Sequence, residues 1–445
     1  MTEHHVSPEP SNGSNRPRVK LALSSLQIAL IWMGVTVIAR LIWLWFYPAI
    51  PEWDGAIYHR TAVRIANGLG FVDTWNNLPP YKPTAFYPVG YPATLALCYK
   101  LFGASTGVAA GLNVASSAIV SLLISRLARR SWGSSGVHLA AGLFALAPGP
   151  IVYCSAYMTE LLSAAIVLAA IDCALRYHDS DATAFRWAIL CGLLLGYAGL
   201  VRPPALLIAP IIALVMTPRN KRTLSLQTVG YLRTLVLVGL ACCCVVLPWT
   251  ARNCRKLDGC ALVSLNGGSN LWIGADPDAN GTYRDLRIGE ACLRVRGEVK
   301  KDRCFGGLAI ERIRAHPIQW LSLAPMKVVH LLGYESSPVS YLRSATHGQA
   351  FRTTATMMFA LLTAAHWIIL SLAIVAVVGG SRAPMPIEQR LTLAVVLSFI
   401  VVHIVFFGVD RYHFVFTPLL CVLAAGSIAE KHSKVDDEQE VRVPL

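Results

Sequence analysis

The sequence predicts an all-α polytopic membrane protein of about ten or eleven transmembrane helices, with amphipathic juxtamembrane helices in its outer loops. Three observations carry that expectation. Of the 445 residues, 55% are hydrophobic and only 14% are charged, whereas about a quarter are charged in a soluble domain. The mean hydropathy is +0.52. The apolar residues gather in successive runs, several approaching the roughly 20 residues that a bilayer crossing needs.

Residues 1–20 open with "MTEHHVSPEPSNGSNRPR", which is polar, rich in Pro, Ser and Asn, and expected to be a disordered cytoplasmic tail. Spans follow at Leu21–Tyr47, Thr106–Leu127, Val137–Ile151, Thr159–Leu175, Trp187–Val201, Pro204–Met216, Tyr231–Trp249, Met357–Val378, Leu391–Phe407 and Phe414–Ala429. The first is too long for a signal-peptide core and lacks a small-residue cleavage site, so it is expected to remain as an anchor. Ile318–Leu332 is apolar but contains Lys327 and His330. It either crosses or lies along the interface. Residues 21–430 form one transmembrane domain, and 431–445 a polar C-terminal tail.

Arg16, Arg18 and Lys20 precede the first span, "SRLARRSW" follows the second and "TPRNKR" follows the sixth. With alternating spans these share one side, which the positive-inside rule makes cytoplasmic. Outer loops 48–103 and 251–317 then face the periplasm or exterior of a bacterial inner membrane. The net charge of +14 decorates cytoplasmic loops and anionic lipid surfaces. With no soluble basic domain to carry it, a nucleic-acid partner is excluded.

Within the first outer loop, Gly55–Gly68 reads as an interfacial amphipathic helix. Ile57, Tyr58, Thr61, Ala62, Ile65 and Ala66 share one face, and His59, Arg60, Arg64 and Asn67 the other. Gly68 or Gly70 ends it. Of twelve cysteines, Cys254, Cys260, Cys292 and Cys304 lie in the second outer loop. On an oxidising face they suggest disulfides. Three complete pairings are open to four cysteines, the local pairs being the slight preference, and chance placement is the alternative.

The charged residues at span ends point to chemistry. Asp54, Glu160, Arg202 and Arg252 all fall on the outer face, where an ionisable side chain is costly unless paired, hydrated or used. Each also has a bland reading. Asp54 suits a helix N-cap, Glu160 suits an ion pair with Arg202, and Arg252 suits a snorkelling interface residue.

Here "EWDGAIYHRTAVRIANGLGF" followed by "FYPVGYPATLALCYKLFG" resembles the first outer loop of GT-C glycosyltransferases. More narrowly, it resembles the bacterial branch akin to protein mannosyltransferases and lipid A aminoarabinose transferases. The resemblance continues through "YMTELLSAAIVLAA", "GLVRPPALLIAP", "PWTARN" with "LVSLNGGSNLWIGADP", and "DRYHFVFTPLLCVLAA". It implies a GT-C type fold and transfer of a sugar, with inversion, from a polyprenyl-phosphate donor to a lipid, glycan or protein acceptor at the outer face. The family's loop acid falls on Asp54, its second acid on Glu160 and its outer Arg on Arg202. Asp54 is then the general base. Glu160 orients the acceptor, binds a metal or fixes Arg202. Arg202, with Lys82 or Arg252, contacts the donor phosphate, and Arg411 joins them if Ile318–Leu332 does not cross. Tyr58, Arg60 and Tyr91 line the substrate. No cofactor is certain; a divalent metal ion, if used, would sit at Asp54 and Glu160.

The family pattern is not complete. Aminoarabinose transferases carry a basic residue where this chain has Ile57, and a Lys directly before the stretch that here reads "FYPVGY"; the nearest is Lys82. The identity of sugar and acceptor is therefore open. A transporter or lipid-sugar flippase is the alternative, since Pro-interrupted spans with charges suit alternating access. A non-catalytic assembly subunit is the third reading.

Overall fold

The computed structural model describes residues 24–74, 79–180, 184–216, 224–287, 291–345, 349–379 and 385–429. Both expected tails, and the basic stretch "TPRNKR", lie outside these residues. Six described helices are long and apolar enough to cross a membrane: Ser25–Phe46, Thr106–Leu146, Glu160–Asp179, Gly230–Lys256, Thr353–Val378 and Ile387–Val405. Shorter apolar helices run over Phe185–Val201, Pro203–Met216 and Thr417–Ser427. The chain is an all-α, multi-pass membrane protein.

Thr106–Leu146 has 41 residues, about 60 Å at 1.5 Å per residue and twice a hydrocarbon core. It breaks at Gly133, whose φ of 67° suits glycine best. The two limbs correspond to two of the expected spans. Ser116, Ser117, Ser121, Ser125, Ala140 and Ala141 are buried along it. Small residues of this kind let membrane helices approach closely. Its C-terminal carbonyls have no helical partner, and inside a membrane water cannot serve them. Arg40, fully buried in the first span, donates to the carbonyls of Phe144 and Ala145 at 3.3 Å each. The opposite side of that span presents Leu41, Ile42 and Trp45 outward, as a lipid-facing surface requires.

Arg130, beside the Gly133 break, pairs with Asp179 at 2.6 Å and Glu388 at 3.0 Å. Glu160 begins the helix that Asp179 ends, and twenty residues at 1.5 Å span about 30 Å. The Arg130 cluster and Glu160 therefore lie at opposite membrane faces.

Ile318–Leu332 is not among the described helices long and apolar enough to cross a membrane. It forms two short helices, Pro317–Ser322 and Ala324–Leu332. The longer has nine residues, about 14 Å, or half a bilayer core. Lys327 is buried within it and donates to the carbonyl of Ile404 at 3.0 Å, near the end of Ile387–Val405.

The two loops expected on the outer face are fastened to each other. Glu298 accepts from Thr84 Oγ1 at 2.7 Å and from the backbone N–H of Ala85 at 3.0 Å. Ala85, Ala261, Leu265 and Val299 form a small buried core beneath. The second loop carries the disulfides Cys254–Cys260 and Cys292–Cys304.

The amphipathic helix is present as Asp54–Ala66, followed by Gly68 with φ 79°, the left-handed residue of a helix end. One expectation for it fails. Arg64 is buried rather than on the polar face, because the loop folds back over it. Its guanidinium donates to the carbonyl of Asp73 and lies 4.2 Å from the Tyr81 ring centroid.

Candidate active site

Asp54 is the first residue of its helix, where a carboxylate meets the positive end of the dipole. It is not the N-cap. That position is Trp53, at φ 47°, a conformation costing a non-glycine residue about 1–3 kcal/mol. The Trp53 ring packs on Tyr341 at 5.4 Å. Asp54 Oδ1 accepts from the Tyr87 hydroxyl at 2.8 Å, and Oδ2 lies 2.8 Å from Arg411 Nη2. Burial, and then the Asp54 charge, push the Tyr87 phenol far above its ordinary range. It remains a hydrogen-bond donor.

Arg411 stands in the 3-10 turn Asp410–Val415. Its Nη1 also donates to the Tyr341 hydroxyl at 2.8 Å, and its guanidinium lies 5.2 Å from the Tyr412 ring centroid. Its buried Nε has no hydrogen-bond partner.

Arg202 precedes Pro203, and a residue before proline is driven out of the helical region. It takes φ −144° and ψ 109°, and the helix Ala184–Val201 ends there. Its Nη1 donates to Glu160 at 2.6 Å and to Thr159 Oγ1 at 2.9 Å, and it lies 4.8 Å from the Tyr412 ring centroid. Tyr412 thus has two arginines within cation–π distance of its ring. Gly90 of "FYPVGY" allows a close approach nearby, since a Cβ there would lie 2.6 Å from Val201 N.

Two cavities meet at this group. One, of about 520 Å³, is lined by Asp54, Tyr58, Arg202 and Arg411 together with the apolar side chains Leu206, Leu207, Leu262, Val402 and Phe406. The other, of about 630 Å³, is lined by Trp53, Asp54, Tyr283, Asp285, Ser337, Tyr341 and Arg411. Asp54, Tyr87, Asn266, Asn270, Phe407, Arg411 and Tyr412 border both.

Asp54, Glu160, Arg202, Arg411 and Tyr58 are therefore brought together; four other expected residues are not. Lys82 is exposed and lines neither cavity. Arg252 spends its donors on the carbonyls of Thr84 at 2.7 Å and Phe71 at 2.5 Å, strapping the first outer loop to a helix end. Arg60 is exposed on the outer side of its helix. Tyr91 is fully buried behind Tyr58, ring to ring at 5.4 Å. The expected metal position also fits poorly. Asp54 and Glu160 are each paired with an arginine, and neither belongs to a group of three or more metal-ligating side chains among the described residues.

Sequence reasoning missed Tyr87, Asn266, Asn270, Tyr341 and Tyr412. Tyr87 had a signal, being the first tyrosine of "FYPVGY", and Tyr412 follows Arg411 in "DRYHF". Asn266 and Asn270 lie in "LVSLNGGSNLWIGADP", and Tyr341 is brought in by folding alone.

Comparison with known proteins agrees with this architecture. Residues 87–249, rather more than a third of the chain, match the family profile described as dolichyl-phosphate-mannose-protein mannosyltransferase. No curated protein matches by sequence. The oligosaccharyltransferase of Archaeoglobus fulgidus, solved with a tethered acceptor peptide, aligns over 91% of this chain and 49% of its own. The TM-score is 0.54 and the identity 14%. The fold is of the GT-C type. Two further structures align more loosely. The same organism's AglB, in complex with an inhibitory peptide and a dolichol-phosphate, has a TM-score of 0.46 at 14% identity, over 91% of this chain and 50% of its own. ArnT of Cupriavidus metallidurans, bound to undecaprenyl phosphate, has a TM-score of 0.41 at 14% identity, over 90% and 76%. The chain spans about half the length of the oligosaccharyltransferases it resembles. Its Asp54 and Arg411 come from the two ends of the fold, the first outer loop and the turn before the last apolar helix.

Proposed function

We propose that this chain is a membrane glycosyltransferase that moves a sugar from a polyprenyl-phosphate carrier to a hydroxyl-bearing acceptor at the outer face of the membrane, with inversion. The observation that carries the reading is the position of Asp54, a carboxylate that borders two cavities, pairs with Arg411 and shares the apolar cavity with Arg202.

The apolar cavity suits the carrier. Leu206, Leu207, Val402 and Phe406 accompany the first prenyl units, and Arg202 and Arg411 face the phosphate. Arg411 Nε is a buried donor without a partner, and a phosphate oxygen would satisfy it. Once the phosphate draws Arg411, Oδ2 of Asp54 is released. The acceptor enters from the more polar cavity. Its hydroxyl attacks the anomeric carbon from the face opposite the phosphate and loses its proton to Asp54. The C–O bond to phosphate breaks, and the arginines hold the departing charge. Tyr87 keeps the carboxylate aimed throughout.

The test is reconstitution in proteoliposomes with radiolabelled polyprenyl-phosphate sugars and envelope lipid, glycan and peptide acceptors. Label in an acceptor supports the reading. Relocation of intact lipid across the bilayer without transfer makes the chain a flippase and defeats it.

A further inference from the structure

One group of buried titratable side chains takes no part in the proposed reaction. Glu335 lies in the turn after Ala324–Leu332, His366 in the helix Gln349–Val378 and His413 in the turn Asp410–Val415. All three are at most 2% exposed, too little for water to settle their hydrogen bonding.

Backbone carbonyls fix both histidine tautomers. His413 Nδ1 lies 2.8 Å from the carbonyl oxygen of Leu331, and His366 Nε2 lies 3.0 Å from that of Leu332. A carbonyl only accepts, so each of these nitrogens carries the hydrogen. The second nitrogen of each neutral ring is then a lone pair. Both lone pairs face one oxygen. His413 Nε2 lies 3.3 Å, and His366 Nδ1 3.6 Å, from Glu335 Oε1. A carboxylate there places three acceptors together with no donor among them. His366 Nδ1 and Glu335 Oε2 indeed have no hydrogen-bond partner.

A cation resolves the conflict. An ion held tetrahedrally by N and O ligands at about 2.0–2.2 Å sets those ligand atoms roughly 3.3–3.6 Å apart, which the two imidazole–carboxylate separations match, and all three ligand atoms lie within 4.8 Å of one another. Each imidazole already donates its far N–H to a carbonyl, the outer contact that orients a metal-ligating histidine. Asp410 adds a second negative charge beside Glu335, so a divalent ion leaves the group neutral.

We propose that Glu335, His366 and His413 bind a divalent transition-metal ion, zinc being the ion that a two-imidazole, one-carboxylate set suits best. The ion acts as a clamp. It joins the Glu335 turn and the Gln349–Val378 helix to the turn carrying Arg411. Asp410 reinforces it by accepting from the backbone N–H of Ser337 at 2.6 Å. Arg411 is thereby held against Asp54, outside the ion's own shell.

The test uses the full chain purified in detergent without chelator. Elemental analysis should find about one zinc per chain. Stripping with a chelator should lower the thermal midpoint, and zinc alone should restore it. Glu335→Gln keeps the side-chain volume and supplies an amide donor to one lone pair, so its fold should survive. Its zinc affinity, like that of His366→Ala, should fall at least about 10-fold. A wild type that neither retains nor takes up zinc or cobalt, with a midpoint unmoved by chelator, overturns the proposal and makes Glu335 a carboxylic acid donating to an imidazole. Metal content unchanged in both variants overturns it equally.

Discussion

Arg411 Nη2 and Asp54 Oδ2 meet at 2.8 Å, where the two cavities join. This contact joins the turn before the last apolar helix to the first outer loop, and each side chain retains a second partner: Tyr341 for the guanidinium and Tyr87 for the carboxylate. The pair is thus positioned even when it separates, as a base and a phosphate ligand must be.

Asp54→Asn tests the base. The amide keeps an acceptor for Tyr87 and nearly the same volume but cannot take a proton. General-base catalysis contributes about 10²–10⁴-fold, so turnover should fall by at least about 100-fold. Yield and donor binding should change little. Wild-type turnover in the purified, folded variant would sink the mechanism.

Arg411→Lys separates charge from geometry. Lysine keeps one positive charge but lacks the fork that reaches Asp54 and Tyr341 together. Loss of a donor aimed at developing charge costs about 10²–10³-fold in rate. Arg411→Lys should lose on that order in turnover, with a higher donor KM. An unchanged profile would place the phosphate elsewhere.

The Glu160–Arg202 pair has both a structural and a functional reading, and a double-mutant cycle divides them. Glu160 is 1% exposed and its partner 12%. Removing one member of such a buried pair costs about 3–5 kcal/mol. Arg202→Gln should lower the thermal midpoint, and Glu160→Gln with Arg202→Gln should recover most of it. If Arg202 also holds the donor phosphate, the double variant stays inactive. Recovery of turnover along with stability would reduce the pair to a strut.

What the sequence disclosed follows from what is local. A span is a run of neighbours, so its position could be read from the chain, as could the turn near Gly133. Asp54, Glu160, Arg202 and Arg411 stand out because charges at helix ends are rare in so apolar a chain. Whether a charge faces a cavity is not local. Arg252 and Arg202 both stand near the C-terminal end of an apolar helix, yet one straps loop carbonyls and the other meets Glu160. Tyr87 and Tyr91 stand four residues apart in one motif, but only Tyr87 precedes the helix start at Gly90 and can reach Asp54. Glu335, His366 and His413 come from three elements with no recognisable spacing.

Orientation is open to chemical labelling. The Arg130–Asp179–Glu388 cluster lies at the face opposite Glu160, the face that the positive-inside rule predicts to be cytoplasmic. In a background freed of reactive thiols, a cysteine at Asn280 should react with a membrane-impermeant maleimide in intact spheroplasts. One at Ser135, exposed beside the Gly133 break, should react only after permeabilisation. The reverse pattern would put the candidate site on the cytoplasmic side.

The division of labour between the cavities can be tested by filling each in turn. Leu262 lines only the apolar cavity and is 57% exposed, while Leu286 lines only the polar one. Both lie in the second outer loop, so a larger side chain at either should be tolerated by the fold. Leu262→Trp narrows the proposed path of the prenyl chain and should raise the donor KM by about 10-fold or more, equivalent to about 1.4 kcal/mol of lost binding. The acceptor KM should hardly move. Leu286→Trp should do the opposite, because it narrows the acceptor's approach and leaves Arg202 and the apolar wall untouched. The two effects cross only if Asp54 sits between separate binding regions. If each substitution raised the same KM, the cavities would be one continuous site, and the acceptor would have to reach Asp54 from the lipid side. If the effects were exchanged, the carrier would occupy the cavity bordered by Tyr283 and Asp285. Arg411, which borders both, would then be the phosphate contact without Arg202, which lines only the apolar one.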